Sequence, residues 1–195
     1  MRIQFLLAVA ILTGCATTSI TGFTDPDYRN KSYKNFVVVT PNLNLEYSSL
    51  LQGKVCKAIQ ARKASCMRGL DTFPPTRTFN TTEIVRILTD NHIDGYLLLT
   101  YGGGSMQSQQ VGTLSYGSAN VFGNSVSAYG SSTPVMSFSR SDGYSVVLID
   151  TQSYNKAWIG GAKTQAHGLA NITDDVFTNS LAEKIALELG AAGHL

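Results

Sequence analysis

The chain has 195 residues, a formal net charge of +2 at pH 7 and a hydrophobic fraction of 43%. This length suffices for one domain with a substantial core. The near-zero net charge excludes a strong positive field of the kind that recruits nucleic acid, so no nucleic-acid partner is expected.

The N-terminal segment has the pattern of an export signal. An apolar stretch over residues 5–12 follows Arg2 and ends in the sequence Leu12-Thr13-Gly14-Cys15. A membrane-spanning helix needs about 20 apolar residues, so this shorter stretch indicates a signal peptide. The four residues resemble the lipobox of bacterial lipoproteins, which implies removal of residues 1–14 and acylation of Cys15. The alternative is an ordinary secretory signal that leaves Cys15 unmodified.

The residue after Cys15 predicts which membrane carries the protein. In the lipoproteins that the lipobox resembles, an aspartate at this position favours retention at the inner membrane, whereas this chain has Ala16. The resemblance therefore implies an outer-membrane lipoprotein whose domain faces the periplasm. Its first partner is then the membrane itself, through the N-terminal lipid.

A tether and a single domain, residues 35–195, follow the lipidation site. Residues 15–34 are rich in Thr, Ser, Asp, Asn and Lys, which is typical of a flexible tether. The apolar stretch 35–40 predicts a strand buried on both faces. Helical periodicity over 45–64, a weak strand over 66–70, a helix capped at Asn80 with Glu83 three residues later, and a strand over 96–101 come next.

Two further cysteines, Cys56 and Cys66, form a candidate disulfide. Export places them in an oxidising compartment, where a bond between them would close a loop of about ten residues. Two buried free thiols are the alternative. Metal binding is not expected, because the spacing of the two cysteines matches no zinc pattern and no histidine lies near them in the sequence.

The middle of the chain lacks charge. From Gly95 to Ser139 there is no Asp, Glu, Lys or Arg, and residues 102–140 are rich in Gly and Ser. The composition favours a flexible loop, because such a segment buries little apolar surface. A second interpretation is an extended hairpin with Tyr116, Phe122, Tyr129 and Phe138 packed across it. The third is a membrane-inserted hairpin in a pore-forming oligomer, which the poor alternation of apolar and polar residues disfavours.

The C-terminal part predicts a hairpin and a closing helix. Strands over 143–150 and 157–164 flank a turn at 151–155, and Thr173 caps a helix that continues to Leu189. Together these elements define an α/β or α+β domain: a mixed sheet of four or five strands packed with three helices, with a long insert between two strands. Trp158 is expected either to pack into the core or, if exposed, to bind a partner.

The sequence contains no recognisable catalytic set. It lacks the G-x-S-x-G motif of a serine nucleophile, and no pair of carboxylates is placed for acid–base chemistry. His167 with Asp150 or Asp174 is the one pairing that an envelope hydrolase could use. We therefore predict a non-enzymatic protein without cofactor or metal, and keep the hydrolase as the alternative.

The lipobox, the uncharged insert and the motif D-x-x-x-x-x-x-x-W-x-G over 150–160 are together similar to small outer-membrane lipoproteins of proteobacteria. The order of elements more distantly resembles curli-secretion lipoproteins and lipoprotein activators of peptidoglycan synthases. The resemblance implies a lipid-anchored domain that binds an envelope protein or peptidoglycan, or that assembles into an oligomer. A pore-forming oligomer that uses residues 102–140 is a further alternative.

Overall fold

The computed structural model describes residues 16–122 and 125–195. The predicted signal peptide, residues 1–14, and the predicted lipidation site, Cys15, lie outside these ranges and remain predictions. Within the described ranges the chain forms one mixed sheet with helices packed on both of its faces. The predicted α/β class is confirmed.

The sheet has six strands, at least one more than predicted. They are β1 Thr17–Thr24, β2 Asn35–Val39, β3 Ser65–Arg68, β4 Gly95–Phe122, β5 Ser125–Asp150 and β6 Lys156–His167. Their order across the sheet is β1-β6-β5-β4-β2-β3. Strand β2 pairs in parallel with β3 and β4, and all other neighbouring strands are antiparallel.

All but the shortest of the α-helices in the described ranges begin at a side chain that accepts a hydrogen bond from the first turn. The helices are α1 Leu45–Gln60, α2 Gly69–Thr72, α3 Thr81–Asp90 and α4 Asp174–Ala191, with a short 3₁₀ helix at Pro26–Tyr28. Asn80 and Glu83 form the predicted capping box of α3, and Thr173 caps α4 as predicted. The three predicted helices are therefore present, and the four-residue α2 is an addition.

The core lies between the sheet and the pair α1 and α4. Leu51 of α1 and Leu181 of α4 are fully buried there against sheet residues that include Leu97. Helix α3 covers the opposite face of β2, where Leu88 packs near Val37. Because successive side chains of a strand point to opposite faces, β2 is apolar at every central position, as predicted.

The predicted tether is wrong over residues 17–24, which form the edge strand β1. Its pairs with β6 run from Thr17 opposite Gln165 to Thr24 opposite Trp158. The Thr18 hydroxyl oxygen lies 2.9 Å from that of Thr164, inside the fold. Thr and Ser suit an edge strand with one solvated face as well as they suit a linker, and the partner strand lies at the other end of the chain.

Strands β4 and β5, Gly95–Phe122 and Ser125–Asp150, pair as one long hairpin in place of the flexible loop that composition favoured. The cross-strand pairs extend from Gly95 opposite Asp150 to Phe122 opposite Ser125. The extended hairpin is therefore the correct interpretation. Its predicted cross-packing is wrong for Tyr116 and Tyr129, whose side chains are 66% and 72% exposed.

The disulfide between Cys56 and Cys66 is present and confirms the predicted pair. Cys56 lies on α1 and Cys66 on β3, so the bond ties a core helix to the edge strand of the sheet. The bond crosses the short connection between two consecutive elements, where their packing brings the two sulfur atoms together.

Trp158 is buried, which removes it as a candidate for partner binding. Its side chain is 3% exposed and belongs to the main core. A Cβ atom on Gly160 or on its neighbour Gly22 would overlap the indole ring. The two glycines of the paired strands β1 and β6 thus make the space that the ring fills.

Candidate functional site: an uncharged hairpin on a charged base

The outer part of the hairpin extends well beyond the sheet. Strand β2 pairs with β4 only up to Leu98, and β6 pairs with β5 only from Ser139 onward. Among the described residues, 102–122 pair only with β5 and 125–137 pair only with β4, and we call these two stretches the hairpin extension. Gln107 lies opposite Ser139, the last residue of β5 that pairs with β6, so 108–122 extend beyond the sheet by about 50 Å at about 3.3 Å per residue.

The hairpin extension exposes apolar side chains on a segment without charge. Residues 102–118 and 129–136 are exposed throughout. The large apolar side chains among them are Met106, Val111, Leu114, Tyr116, Tyr129, Val135 and Met136. An isolated two-stranded ribbon is at best marginally stable in water, and natural edge strands are usually protected by charges, bulges or Pro. The hairpin extension contains no charged residue and one proline, Pro134.

A bulge divides the hairpin extension into two halves with different patterns. The register shifts between Gln110 and Gly112, so one strand gains a residue there. Beyond the bulge, the pairs Leu114–Thr133 and Tyr116–Ser131 share one face of the ribbon. On the side of the bulge nearer the domain, that same face carries Ser and Gln at positions 105, 107, 109, 137 and 139. The shift explains why the sequence lacks one continuous alternation of apolar and polar residues.

A buried charge cluster holds the base of the hairpin. Arg140 lies 2.6 Å from Asp142 and 2.6 Å from Asp174, measured between nitrogen and carboxylate oxygen. Its guanidinium also donates to the carbonyl of Ile172 and lies 4.3 Å from the ring centroid of Phe177. Burial acts to lower the pKa of Arg140, but hydrogen bonds with the two carboxylates outweigh burial and raise it. The cation is therefore permanent and joins β5 to the start of α4.

Tyrosine hydroxyls continue this cluster into the core. The Tyr47 and Tyr144 hydroxyl oxygens lie 2.6 Å apart, and the Tyr144 hydroxyl lies 3.5 Å from Asp142 Oδ2. Burial, followed by the hydrogen bond with Tyr47, raises the pKa of Tyr144, so this hydroxyl stays protonated. On the neighbouring strand a Cβ atom at Gly104 would overlap Asp142 Oδ1 and the Tyr101 hydroxyl. The cluster thus fixes the angle at which the hairpin leaves the domain.

Asp150 occupies the opposite end of the sheet and has a structural role. Its carboxylate lies 2.6 Å from Lys31 Nζ and accepts hydrogen bonds from the backbone and hydroxyl of Ser153. Burial acts to raise the pKa of Asp150, but the contacts with Lys31 and Ser153 outweigh burial and lower it. The aspartate and tryptophan of the sequence motif therefore stabilise a turn and the core.

The predicted hydrolase pair is not assembled. His167 lies opposite Ser139, while Asp150 ends the same strand eleven residues away, which corresponds to about 36 Å. Asp174 forms a salt bridge with Arg140 and none with His167. The structure therefore does not bring together the pair of residues proposed for an envelope hydrolase.

The charge cluster at the hairpin base was not among the features predicted from the sequence. A signal for it exists, because Arg140 and Asp142 are the first charges after the long uncharged stretch and are two residues apart. Residues i and i+2 of a strand share a face, so a strand in this region would place the two side chains together. Because a loop was predicted for this region, the placement of Arg140 and Asp142 on one face of a strand was not predicted.

Two classes of site are not found in the part of the chain that the structure describes. No three His, Cys, Asp or Glu side chains within residues 16–122 and 125–195 lie close enough together to hold a metal ion. No helix in the same ranges is long and apolar enough to cross a bilayer.

Comparison with known proteins finds structures of similar fold but no matching family. No protein-family model matches the sequence, and no curated protein does. Solved structures do match the fold, which is that of an α/β domain with a mixed sheet.

Among these structures is the PelC dodecamer from Paraburkholderia phytofirmans, with a TM-score of 0.50 and 11% identity. The match covers 92% of this chain and 99% of the PelC chain. Lipoprotein GNA1162 from Neisseria meningitidis is matched with a TM-score of 0.45 and 11% identity over 81% of this chain and 99% of its own. At this identity the likeness to PelC establishes a shared fold.

Proposed function

We propose that this chain is a non-enzymatic, lipid-anchored protein of the bacterial outer membrane, facing the periplasm, that assembles with further copies of itself through the hairpin extension. The lipobox over residues 12–15 supports the anchor. The absence of charge from both strands of an exposed ribbon supports the self-assembly, and this observation carries the proposal.

The edges of the hairpin extension are suited to pair with another strand. Along residues 102–122 and 125–137 the outward backbone N–H and C=O groups have no partner strand among the described residues. A second copy offers the same uncharged edges, and main-chain hydrogen bonds between two such edges need no particular side chain. The exposed side chains of Leu114 and Tyr116 would lose water contact in such an assembly.

The fold neighbour PelC supports an assembly of this kind. PelC was solved as a dodecamer, and its chain matches this one over nearly its full length. A closed ring would give every hairpin two neighbours and leave no free edge.

The anchor is tested by the mass of the protein purified from membranes. We expect residues 1–14 to be absent and Cys15 to carry acyl chains, and Cys15→Ser to release the protein from the membrane fraction. A soluble, unmodified product with Met1 still present would contradict the anchor.

The assembly is tested by light scattering in detergent with two matched variants. Leu114 and Leu187 are exposed to similar extents, 53% and 48%, but Leu114 lies on the hairpin extension and Leu187 on α4. We expect the unmodified protein to be oligomeric, Leu114→Lys to shift the mass towards the monomer, and Leu187→Lys to leave it unchanged. A monomeric unmodified protein, or equal effects of the two variants, would contradict the role of the hairpin.

A further inference from the structure

The hairpin extension and the N-terminal end of the domain leave the sheet at the same pole. Ala16, the first described residue, packs with Ala166 in a small apolar cluster, and Ala166 lies opposite Arg140. Thr17, the next residue, pairs with Gln165 of β6. A lipid on Cys15, one residue before Ala16, would therefore meet a membrane on the side towards which the hairpin points.

Towards the tip of the hairpin, its charged residues end near the start of β1. Arg140 and Asp142 lie level with the start of β1, and no charged residue follows along either strand towards the tip. A Lys or Arg at the centre of a bilayer costs about 2–4 kcal/mol on the lipid-facing side of a strand. The hairpin extension contains no Lys or Arg, so its insertion into a bilayer would not incur this cost.

The bulge marks off a segment with the length of a bilayer crossing. Residues 112–122 and 125–135 are eleven residues each, and a strand that crosses the hydrocarbon core needs about 9–11 residues when tilted. Among the described side chains of this segment, the larger apolar ones, Leu114, Tyr116, Tyr129 and Val135, share one face of the ribbon. The opposite face carries Thr113, Ser115, Ser132, Pro134 and two glycines.

We infer that the outer half of the hairpin extension, residues 112–122 and 125–135, inserts into the hydrocarbon core of the membrane that carries the lipid anchor, with the Leu114 face towards the acyl chains. The inference rests on the proposed self-assembly. In hydrocarbon every backbone polar group needs a protein partner, and only neighbouring hairpins supply partners for both edges. The Ser- and Gln-rich inner half then lies outside the hydrocarbon.

The test uses the full mature, acylated protein with one fluorescent label. Cys56 and Cys66 are consumed by the disulfide, and acylated Cys15 has no free thiol, so a cysteine introduced at Leu114, Ser115 or Gln60 is the only one that reacts. Each labelled protein is reconstituted in vesicles of phosphatidylethanolamine and phosphatidylglycerol with or without doxyl-labelled lipid. Gln60, exposed at the end of α1, is the control within the domain.

We expect the label at Leu114 to lose most of its fluorescence to doxyl lipid, the label at Ser115 to lose less, and the label at Gln60 to lose none. Val135→Cys, on the same face of the other strand, should behave like Leu114→Cys. An oligomeric sample in which Leu114 and Val135 labels are no more quenched than Gln60 would overturn the insertion and leave the assembly standing. A monomeric sample would overturn the assembly on which the insertion depends.

Discussion

The domain and the hairpin extension differ in how their charged and apolar side chains are placed. In the domain each buried charge has a partner, as Asp142 has Arg140 and Asp150 has Lys31. In the hairpin extension there is no charge at all, and apolar side chains such as Tyr129 are left exposed. An isolated two-stranded ribbon is at best marginally stable in water, so the hairpin extension needs further contacts.

The boundary between the two regions is sharp. Arg140 is the last charged residue of β5 in the direction of the tip, and its contacts with Ile172 and Asp174 fasten the strand to the start of α4. Beyond it the described side chains of the outer half contribute little to the core. Substitutions on the two sides of this boundary should therefore have different effects on stability.

The largest effect is expected at Trp158. Trp158→Ala would leave a cavity above Gly22 and Gly160, where the ring now lies, and it should cost about 3–5 kcal/mol of unfolding free energy. Urea denaturation of the mature protein measures this. Phe23→Ala, at a side chain that is 61% exposed, should cost far less. Equal losses in the two variants would show that the indole does not support the core.

Removal of Arg140 should also be severe. Arg140→Met leaves the buried carboxylate of Asp142 without its cation, and the loss is expected to be about 3 kcal/mol. Arg68→Met removes a guanidinium from an exposed ion pair with Asp71 and should cost less than about 1 kcal/mol. If the two substitutions cost the same in urea denaturation, the buried cluster does not hold the hairpin base.

Reduction of the disulfide should have an intermediate effect. The bond between Cys56 and Cys66 closes a loop of ten residues, for which chain entropy predicts about 2–3 kcal/mol. Denaturation with and without a thiol reductant measures the difference. Cys56→Ala combined with Cys66→Ala should remove the response to reductant, and a reductant effect that persists in this variant would have another cause.

Acid should weaken the Asp150 end of the domain. The pKa of Asp150 is lowered in the folded state, so its contribution is present above the unfolded value, about 3.9, and is lost as the pH falls through the folded value. We expect the unfolding free energy to fall below about pH 4, and to fall less in Asp150→Asn than in the unmodified protein. Parallel pH profiles of the two proteins would contradict this assignment.

The smallest effect on the domain is expected in the hairpin extension. Tyr116→Ala removes a side chain that is 66% exposed and should change the unfolding free energy of the domain by less than about 0.5 kcal/mol. The same variant should weaken the oligomer in light scattering. A large loss of domain stability would mean that the hairpin extension folds back onto the domain.

Local signals predicted some elements well. Asn80 with Glu83 and Thr173 with its following carboxylates marked two helix starts that the structure contains, because capping depends on residues within one turn. The turn after Asp150 and the pairing of Cys56 with Cys66 likewise depend on residues close in sequence. Strand β1 was not predicted, because its polar residues form a strand only by pairing with β6, which is distant in the sequence.

The amino-acid sequence by itself determined the absence of charge over residues 95–139, the apolar periodicity of the helices and the pair of cysteines, all of which are properties of neighbouring residues. Only the tertiary structure decided that the uncharged segment is a paired ribbon, that Trp158 is covered, and that Arg140 meets Asp174. The reason is that strand pairing and burial join residues distant in sequence, and local composition carries no record of the partner.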